Sequence, residues 1–194
     1  MIYISIYGWI LKMSLIKGFV SILTKNLQNS DSSLEIPNEF DTFSMAKPLP
    51  MSLIAYIDHF LYQLGLEESL LSSTFHIIEH FFKYIYFNNI QKFVFVALSI
   101  SYKAFIDKPV KNSALERIGV LKKGELYTLE KIVLEWIDWD LEYYRIQETC
   151  EMLIEEAKEE EIMEAEQESF DNETDFTECE GSESFSELAA FFVV

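Results

Sequence analysis

Hydrophobic residues recur at helical spacing through the middle of the chain. Over residues 52–64, apolar side chains share one face of a helix with 3.6 residues per turn: Leu53, Ile57, Phe60, Leu61 and Leu64. Gly65 then predicts the end of this helix. A second helix is predicted over residues 68–87, with this face: Leu71, Thr74, Phe75, Ile78, Phe81, Phe82 and Ile85. The pair Asn88-Asn89 predicts a break after it.

Three further helices follow in the pattern. Residues 90–106 are apolar on almost every side, which is typical of a helix that is surrounded by others. Asp107-Lys108-Pro109 predicts its end. A short helix is predicted over residues 112–118 and a fifth over residues 122–136. The middle of the chain is therefore predicted to be an all-α domain of five helices with the third one central.

The N-terminal region has a less regular pattern. Residues 1–24 are apolar but include Lys12 and Lys17, and the uncharged run 1–11 is shorter than the ~20 residues that cross a bilayer. Three interpretations stay open: a helix that packs on the protein, a peripheral membrane anchor, or a translation start at a later methionine. Those later methionines are Met13, Met45 and Met51. Polar residues and prolines over residues 26–50 predict a linker.

Charge divides the chain. The formal net charge is −18, yet residues 51–145 are nearly neutral, and residues 146–194 carry seventeen acidic residues against Lys158 alone. We expect this mostly disordered tail to begin as a helix at Ile146 and to be disordered over residues 168–187, because like charges repel and little can be buried there. The acidity argues against nucleic-acid binding, which requires clustered Lys and Arg.

One motif suggests metal chemistry. His76-Ile-Ile-Glu79-His80 matches the H-x-x-E-H string in which two histidines one helical turn apart bind zinc. Zinc needs a third protein ligand, and His59 is the only other histidine. The favoured interpretation is that His76 and His80 flank a packed helix face, and a zinc hydrolase is kept as a rival. No phosphate-binding glycine loop or nucleophile motif is present, so a non-catalytic binding protein without cofactor or metal is favoured.

Two charged residues stand out within apolar helices. Lys103 lies in the last turn of the third predicted helix, and Glu130 lies inside the fifth between Leu126 and Leu134. Each side chain either extends its charge to the edge of a packed face or is held partly desolvated at a protein interface. The pattern alone leaves both interpretations open.

Several strings of the middle region resemble a cyclin box. Phe93-Val-Phe-Val-Ala-Leu-Ser-Ile-Ser-Tyr-Lys103-Ala-Phe-Ile-Asp107 resembles its third helix, and Glu125-Leu126-x-x-Leu129-Glu130-x-x-x-Leu134 its fifth. More narrowly, Asn112-x5-Ile118-Gly119-x5-Glu125 is similar to the phosphate-signalling (P-type) cyclins, as are Pro50-x-Ser52-Leu53-x-x-Tyr56-Ile57 and Ile77-Ile78-Glu79-His80-Phe81. That family has a second glycine after Gly119, where this chain has Val120. The resemblance covers about residues 47–142.

The resemblance implies three parts and one fold. These are an N-terminal extension and linker (1–46), a single five-helix cyclin box (47–142) and an acidic C-terminal tail (143–194). A second helical repeat is not expected, because only 53 residues follow Leu141.

The resemblance also implies a function. The chain would be the regulatory subunit of a heterodimer with a cyclin-dependent protein kinase, in the cytoplasm, the nucleus or both. Its kinase-binding residues would be Lys103, Glu130, Leu126 and Phe105. Lys103 and Glu130 would hydrogen-bond main-chain groups around the αC helix of the kinase, with their charged ends near each other. No small-molecule substrate is implied and membrane contact is not expected. The alternatives are a cyclin-fold adaptor that does not activate a kinase, and a membrane-associated adaptor that uses residues 1–24.

Overall fold

All regular structure in the described part of the chain is helical, which confirms the all-α prediction. A computed structural model describes residues 2–29, 37–66, 69–141 and 145–173. The α-helices are α1 (Ile2–Asn29), α2 (Leu53–Leu64), α3 (Leu70–Glu79), α4 (Ile90–Phe105), α5 (Asn112–Ile118), α6 (Glu125–Trp136) and α7 (Ile146–Glu173). Two short 3₁₀ helices are Asn38–Phe43 and Phe82–Tyr84.

α4 runs through the middle of the core. Every residue from Phe93 to Tyr102 is buried, as predicted for a helix that has no polar face. Its aromatic rings contact other elements: the Phe95 ring centroid is 5.5 Å from that of Phe60 on α2, and the Phe93 centroid is 5.6 Å from that of Phe81. The other helices of the middle region are therefore arranged around α4.

α2 begins and ends with the capping residues that its sequence provides. The Ser52 hydroxyl accepts a hydrogen bond from the Ala55 N–H at 3.2 Å, which satisfies one of the free donors of the first turn. Gly65 adopts a left-handed φ of 61°, a conformation that costs glycine little, and its N–H bonds the carbonyls of Leu61 and Tyr62. The predicted end at Gly65 is confirmed.

α3 differs from its prediction in length and in burial. It ends at Glu79 rather than at residue 87, and every residue from Leu70 to Ile78 is buried, polar ones included. α4 packs on one side of α3, while α1 and α7 cover the rest. The predicted apolar face is thus only part of the buried surface of α3, and it also meets α1, where the Phe75 ring centroid is 6.3 Å from that of Phe19.

Asn89 holds the turn that leads into α4. Its side chain is fully buried, accepts a hydrogen bond from the Tyr86 N–H at 2.8 Å and donates one to the Tyr84 carbonyl at 2.9 Å. These two bonds satisfy backbone groups that a continued helix would have paired, so the chain can turn into α4 without leaving them unpaired.

The segment that was predicted as a linker contributes to the core. α1 extends to Asn29, and the 3₁₀ helix Asn38–Phe43 buries both of its phenylalanines completely. The Phe40 ring stacks on Tyr84 with centroids 4.9 Å apart, and the Phe43 ring stacks on Phe93 at 4.0 Å. Residues 26–50 therefore include packed structure that their polar composition did not predict.

α1 and α7 form an antiparallel pair outside the middle region. A Cβ on Gly18 would lie 1.8 Å from the Leu153 carbonyl oxygen, so the two backbones meet at a distance that only glycine permits. The pair buries Leu15, Ile16, Phe19, Leu23, Leu153 and Ala157. For residues 12–24 this supports the interpretation of a packing helix.

The acidic region is helical further along than its composition predicted. α7 continues to Glu173, so the expected disorder does not hold for residues 168–173. Residues 174–194, which include Cys179 and the apolar end 188–194, lie outside the described residues, and the prediction for them stays a prediction. Among the helices that are described, none is both long and apolar enough to cross a membrane.

Candidate partner-binding surface around Lys103 and Glu130

Lys103 and Glu130 meet in the structure. Lys103 lies in the last turn of α4 and Glu130 in the middle of α6, and the Lys103 Nζ is 2.6 Å from each carboxylate oxygen of Glu130. Their predicted proximity, across 27 residues of sequence, is confirmed. The pair links the central helix to α6 at the molecular surface.

The ion pair is partly withdrawn from water. Glu130 is 7% exposed, while a quarter of the Lys103 side chain is accessible. Burial raises the pKa of Glu130, and the negative charge of Glu116 acts in the same direction. The hydrogen bond and charge of Lys103 and a hydrogen bond to Asn112 lower this pKa, but burial outweighs them. The environment as a whole thus disfavours the charged carboxylate relative to water, and Lys103 and Asn112 offset part of that effect.

α5 contributes two polar residues next to the Lys103–Glu130 pair. Asn112 is its first residue, and Glu116, one turn later, is buried and accepts a hydrogen bond from the Gly124 N–H at 2.7 Å. This bond ties α5 to the start of α6, which carries Glu130. Asn112 belongs to the string that resembles the P-type cyclins, whereas no sequence pattern connected Glu116 with Glu130.

Exposed apolar residues lie near the pair. Ile106, three residues after Lys103, is 37% exposed, and Val110 is 38% exposed. The Val110 N–H donates to the Tyr102 hydroxyl at 3.0 Å, which holds the chain after α4 against the helix end. On α6, Tyr127 is 67% exposed and lies three residues before Glu130, on the same side of the helix. An ion pair bordered by accessible apolar side chains is suited to protein contact.

The other two predicted kinase-binding residues have different positions. Leu126 is fully buried, so it packs on the core side of α6 and does not reach the surface. Phe105 is 43% exposed but leaves α4 about 200° around the axis from Lys103, at ~100° per residue. The structure therefore brings together Lys103 and Glu130, and adds Ile106 and Tyr127, which the sequence analysis did not select.

The H-x-x-E-H string has a structural role in this fold. His76 is buried; its Nδ1 is 3.0 Å from a Glu79 carboxylate oxygen and its Nε2 is 2.6 Å from the Thr149 hydroxyl. Both ring nitrogens are thus engaged, one of them with α7, while His80 is exposed at the end of α3. Within the described ranges, no three His, Cys, Asp or Glu side chains are grouped as a metal site would require.

Comparison with known proteins adds no family assignment: no protein-family model matches the sequence, and no curated protein matches it.

Proposed function

We propose that the chain is a non-catalytic regulatory subunit that binds a cyclin-dependent protein kinase and stabilises the active position of its αC helix. The observation that carries the proposal is the Lys103–Glu130 pair, which is partly desolvated at the surface between α4 and α6. The same two residues are the marked charges of the strings that resemble a cyclin box. The cyclin identity of the domain is part of this proposal.

The pair retains hydrogen-bonding capacity for a partner. An ammonium group has three N–H donors, and the Lys103 Nζ directs two of them at Glu130. A carboxylate has about four acceptor sites, of which Glu130 uses three, for Lys103 and Asn112. With respect to the described residues, one donor and one acceptor therefore remain for main-chain groups of a kinase. Such charge-assisted bonds are about twice as strong as neutral ones.

Binding of this kind can activate a kinase by population shift. A protein kinase is active when αC brings its glutamate to the β3 lysine. A partner that binds only that arrangement increases its population, and a change from 1:99 to 99:1 needs about 5.5 kcal/mol of differential binding. Ile106, Val110 and Tyr127 supply accessible apolar surface beside the charged anchors.

Affinity purification of the tagged chain from its native cell tests the proposal. We expect a protein kinase to co-purify near 1:1, and we expect its phosphotransfer activity to depend on the chain when the two are recombined. Recovery of a kinase that is equally active without the chain would favour the adaptor alternative. Recovery of no kinase would contradict the proposal.

A further inference from the structure

A second surface feature lies on α6, away from the ion pair. An open pocket of about 340 Å³ is lined by Glu39, Ile132, Glu135 and Trp136. At ~100° per residue, its three α6 residues lie about 120–160° around the helix axis from Glu130. A partner that is held at Lys103 and Glu130 would therefore leave this pocket accessible.

The pocket presents a fixed indole ring. Trp136 is 41% exposed, and its ring centroid is 4.9 Å from that of Phe40 and 5.6 Å from that of Tyr84. The Trp136 indole N–H donates to a carboxylate oxygen of Glu39. Since rings hold the indole from the core and Glu39 holds its polar edge, the exposed part of the ring has a defined position.

Two carboxylates stand next to this ring. Glu39 uses one oxygen for Trp136, and its second oxygen has no hydrogen-bond partner among the described residues. Glu135 makes an ion pair of 3.5 Å with Lys131, and more than half of each side chain is exposed. Exposed pairs of this kind contribute little, so Glu135 can exchange Lys131 for another cation.

We infer that this pocket binds an arginine side chain from a basic segment of a partner protein. A guanidinium group is planar, stacks on an indole and bonds a carboxylate through two N–H groups, so it matches the ring and the two acids together. Glu39 and Glu135 place two negative charges at the pocket itself, which attract a basic segment. Because the pocket is open and has four lining residues, it fits one side chain of a longer segment.

The full-length chain, labelled with ¹⁵N, tests the inference without any kinase. The probe is a blocked pentapeptide with a central arginine between glycines and serines, and matched peptides carry lysine or norleucine there. The chain has three tryptophans, so the Trp136 indole N–H is a resolvable reporter. We expect a saturable shift of this resonance with a millimolar Kd for arginine, at least threefold weaker binding for lysine and no binding for norleucine.

Charge-matched variants separate the pocket from general attraction. Glu39→Gln with Glu135→Gln keeps the side-chain size and the acceptor for the indole, and we expect it to weaken arginine binding at least fivefold. Glu148→Gln with Glu151→Gln removes the same charge from the exposed face of α7 and should leave binding unchanged. Equal weakening by both pairs, equal binding of the lysine or norleucine peptide, or no shift at Trp136 would overturn the inference. The proposed kinase contact is unaffected by each of these results.

Discussion

Val120 combines a β-branched side chain with a left-handed backbone. Its φ is 56°, and the side chain is 65% exposed, so little packing compensates for the strain. The preceding residue lies close against the core: a Cβ on Gly119 would be 2.4 Å from the Phe95 ring. A left-handed backbone favours glycine, the residue that the resemblance described above led us to expect in place of Val120.

We predict that Val120→Gly stabilises the protein. The variant relieves a strain of about 1–3 kcal/mol but adds unfolded-state entropy, which leaves a net gain of about 0.5–1 kcal/mol. Urea unfolding measures the change. Val110→Gly is the control, because Val110 is a half-exposed valine that is not among the positive-φ residues, and it should be neutral or destabilising. A loss of stability in Val120→Gly would show that the valine side chain contributes more than its strain costs.

The Lys103–Glu130 pair carries the functional prediction. Lys103→Ala or Glu130→Ala should weaken kinase binding by about 2–5 kcal/mol, because each variant removes one partner of a desolvated charged hydrogen bond. This corresponds to roughly 30- to several-thousandfold in affinity. A binding titration against the co-purified kinase measures it. Lys131→Ala, which removes an exposed pair on the same helix, is the matched control and should bind as wild type does.

A double variant separates binding from folding. Each single alanine also leaves a partly buried charge without its partner, so some stability is lost, about 1–3 kcal/mol. Lys103→Met with Glu130→Leu removes both charges, and such apolar replacements are often neutral or stabilising. We expect the double variant to be as stable as wild type in urea yet not to bind the kinase. Wild-type binding by the folded double variant would contradict the kinase proposal.

At the scale of elements, the crossing of α1 and α7 depends on Gly18. A methyl group there would meet the Leu153 carbonyl carbon and oxygen and the Ala157 nitrogen, all of which are backbone atoms that cannot rotate away. Gly18→Ala should therefore separate the two helices and cost about 1–3 kcal/mol, the range for an overpacked core. Thermal unfolding followed by circular dichroism measures this. Ser14→Ala, one turn earlier and only partly buried, is the control; equal stability of both variants would contradict the close crossing.

The same pair of helices is joined by a pH-dependent contact. Glu156 on α7 accepts hydrogen bonds from Lys25 at 2.5 Å and from Ser21 at 2.7 Å on α1. Burial alone would raise the pKa of Glu156, but the bonds from Lys25 and Ser21 and the charge of Lys25 lower it overall. The hydrogen bond to Glu156 raises the pKa of Lys25, with added attraction from the charges of Glu156, Glu159 and Glu160 and a smaller opposing effect of burial.

The sign of the pH effect follows from the lowered pKa of Glu156. A carboxyl group with a depressed folded-state pKa contributes stability above its unfolded value of 4.5, and this contribution is lost as the pH falls through the folded value. Glu156→Gln should cost about 1 kcal/mol at pH 7, the upper range for an exposed ion pair. In urea unfolding across pH, the difference from wild type should vanish below the folded pKa. Glu155→Gln, exposed and adjacent, should show no such dependence.

At the scale of the whole molecule, α7 is divided into a packed and a projecting part. Its buried residues are Thr149, Leu153 and Ala157, while residues 158–163 are exposed or half-buried. The packed part covers α3, whose His76 it contacts through Thr149. The acidic composition of the tail therefore conceals a structural first half.

Two truncations test this division. A chain that ends at residue 167 should unfold as cooperatively as the full chain, because every buried contact described for α7 is kept. A chain that ends at Leu141 lacks α7, so buried side chains of α1 and α3 become exposed, at a cost of about 1.5–3 kcal/mol each. Its free energy of unfolding should therefore fall by more than about 5 kcal/mol, which is comparable to the stability of a whole domain. Urea unfolding and amide chemical-shift dispersion distinguish the two. A well-folded short chain would mean that residues 47–142 are independent of α7.

Local sequence determined the helices of the middle region. The 3.6-residue spacing and the capping residues gave α2, and an all-apolar run gave the central position of α4, because these features act within one helix. The proximity of Lys103 and Glu130 came only through the resemblance to cyclins, since no local rule relates residues 27 apart. The arginine pocket had no sequence pattern, because Glu39 and Trp136 come from distant elements.

Only the tertiary structure decided which helix faces are covered. Ser72 and His76 are polar and yet buried, because α7 packs on the side of α3 that its periodicity assigned to solvent, with Cys150 beside Ser72 and Thr149 beside His76. Leu126 was placed at an interface by analogy, but the packing of α6 buries it beneath that surface. Periodicity specifies that a helix has an apolar face. The number of faces that are buried depends on elements far away in sequence, and the pattern within one helix holds no information about those elements.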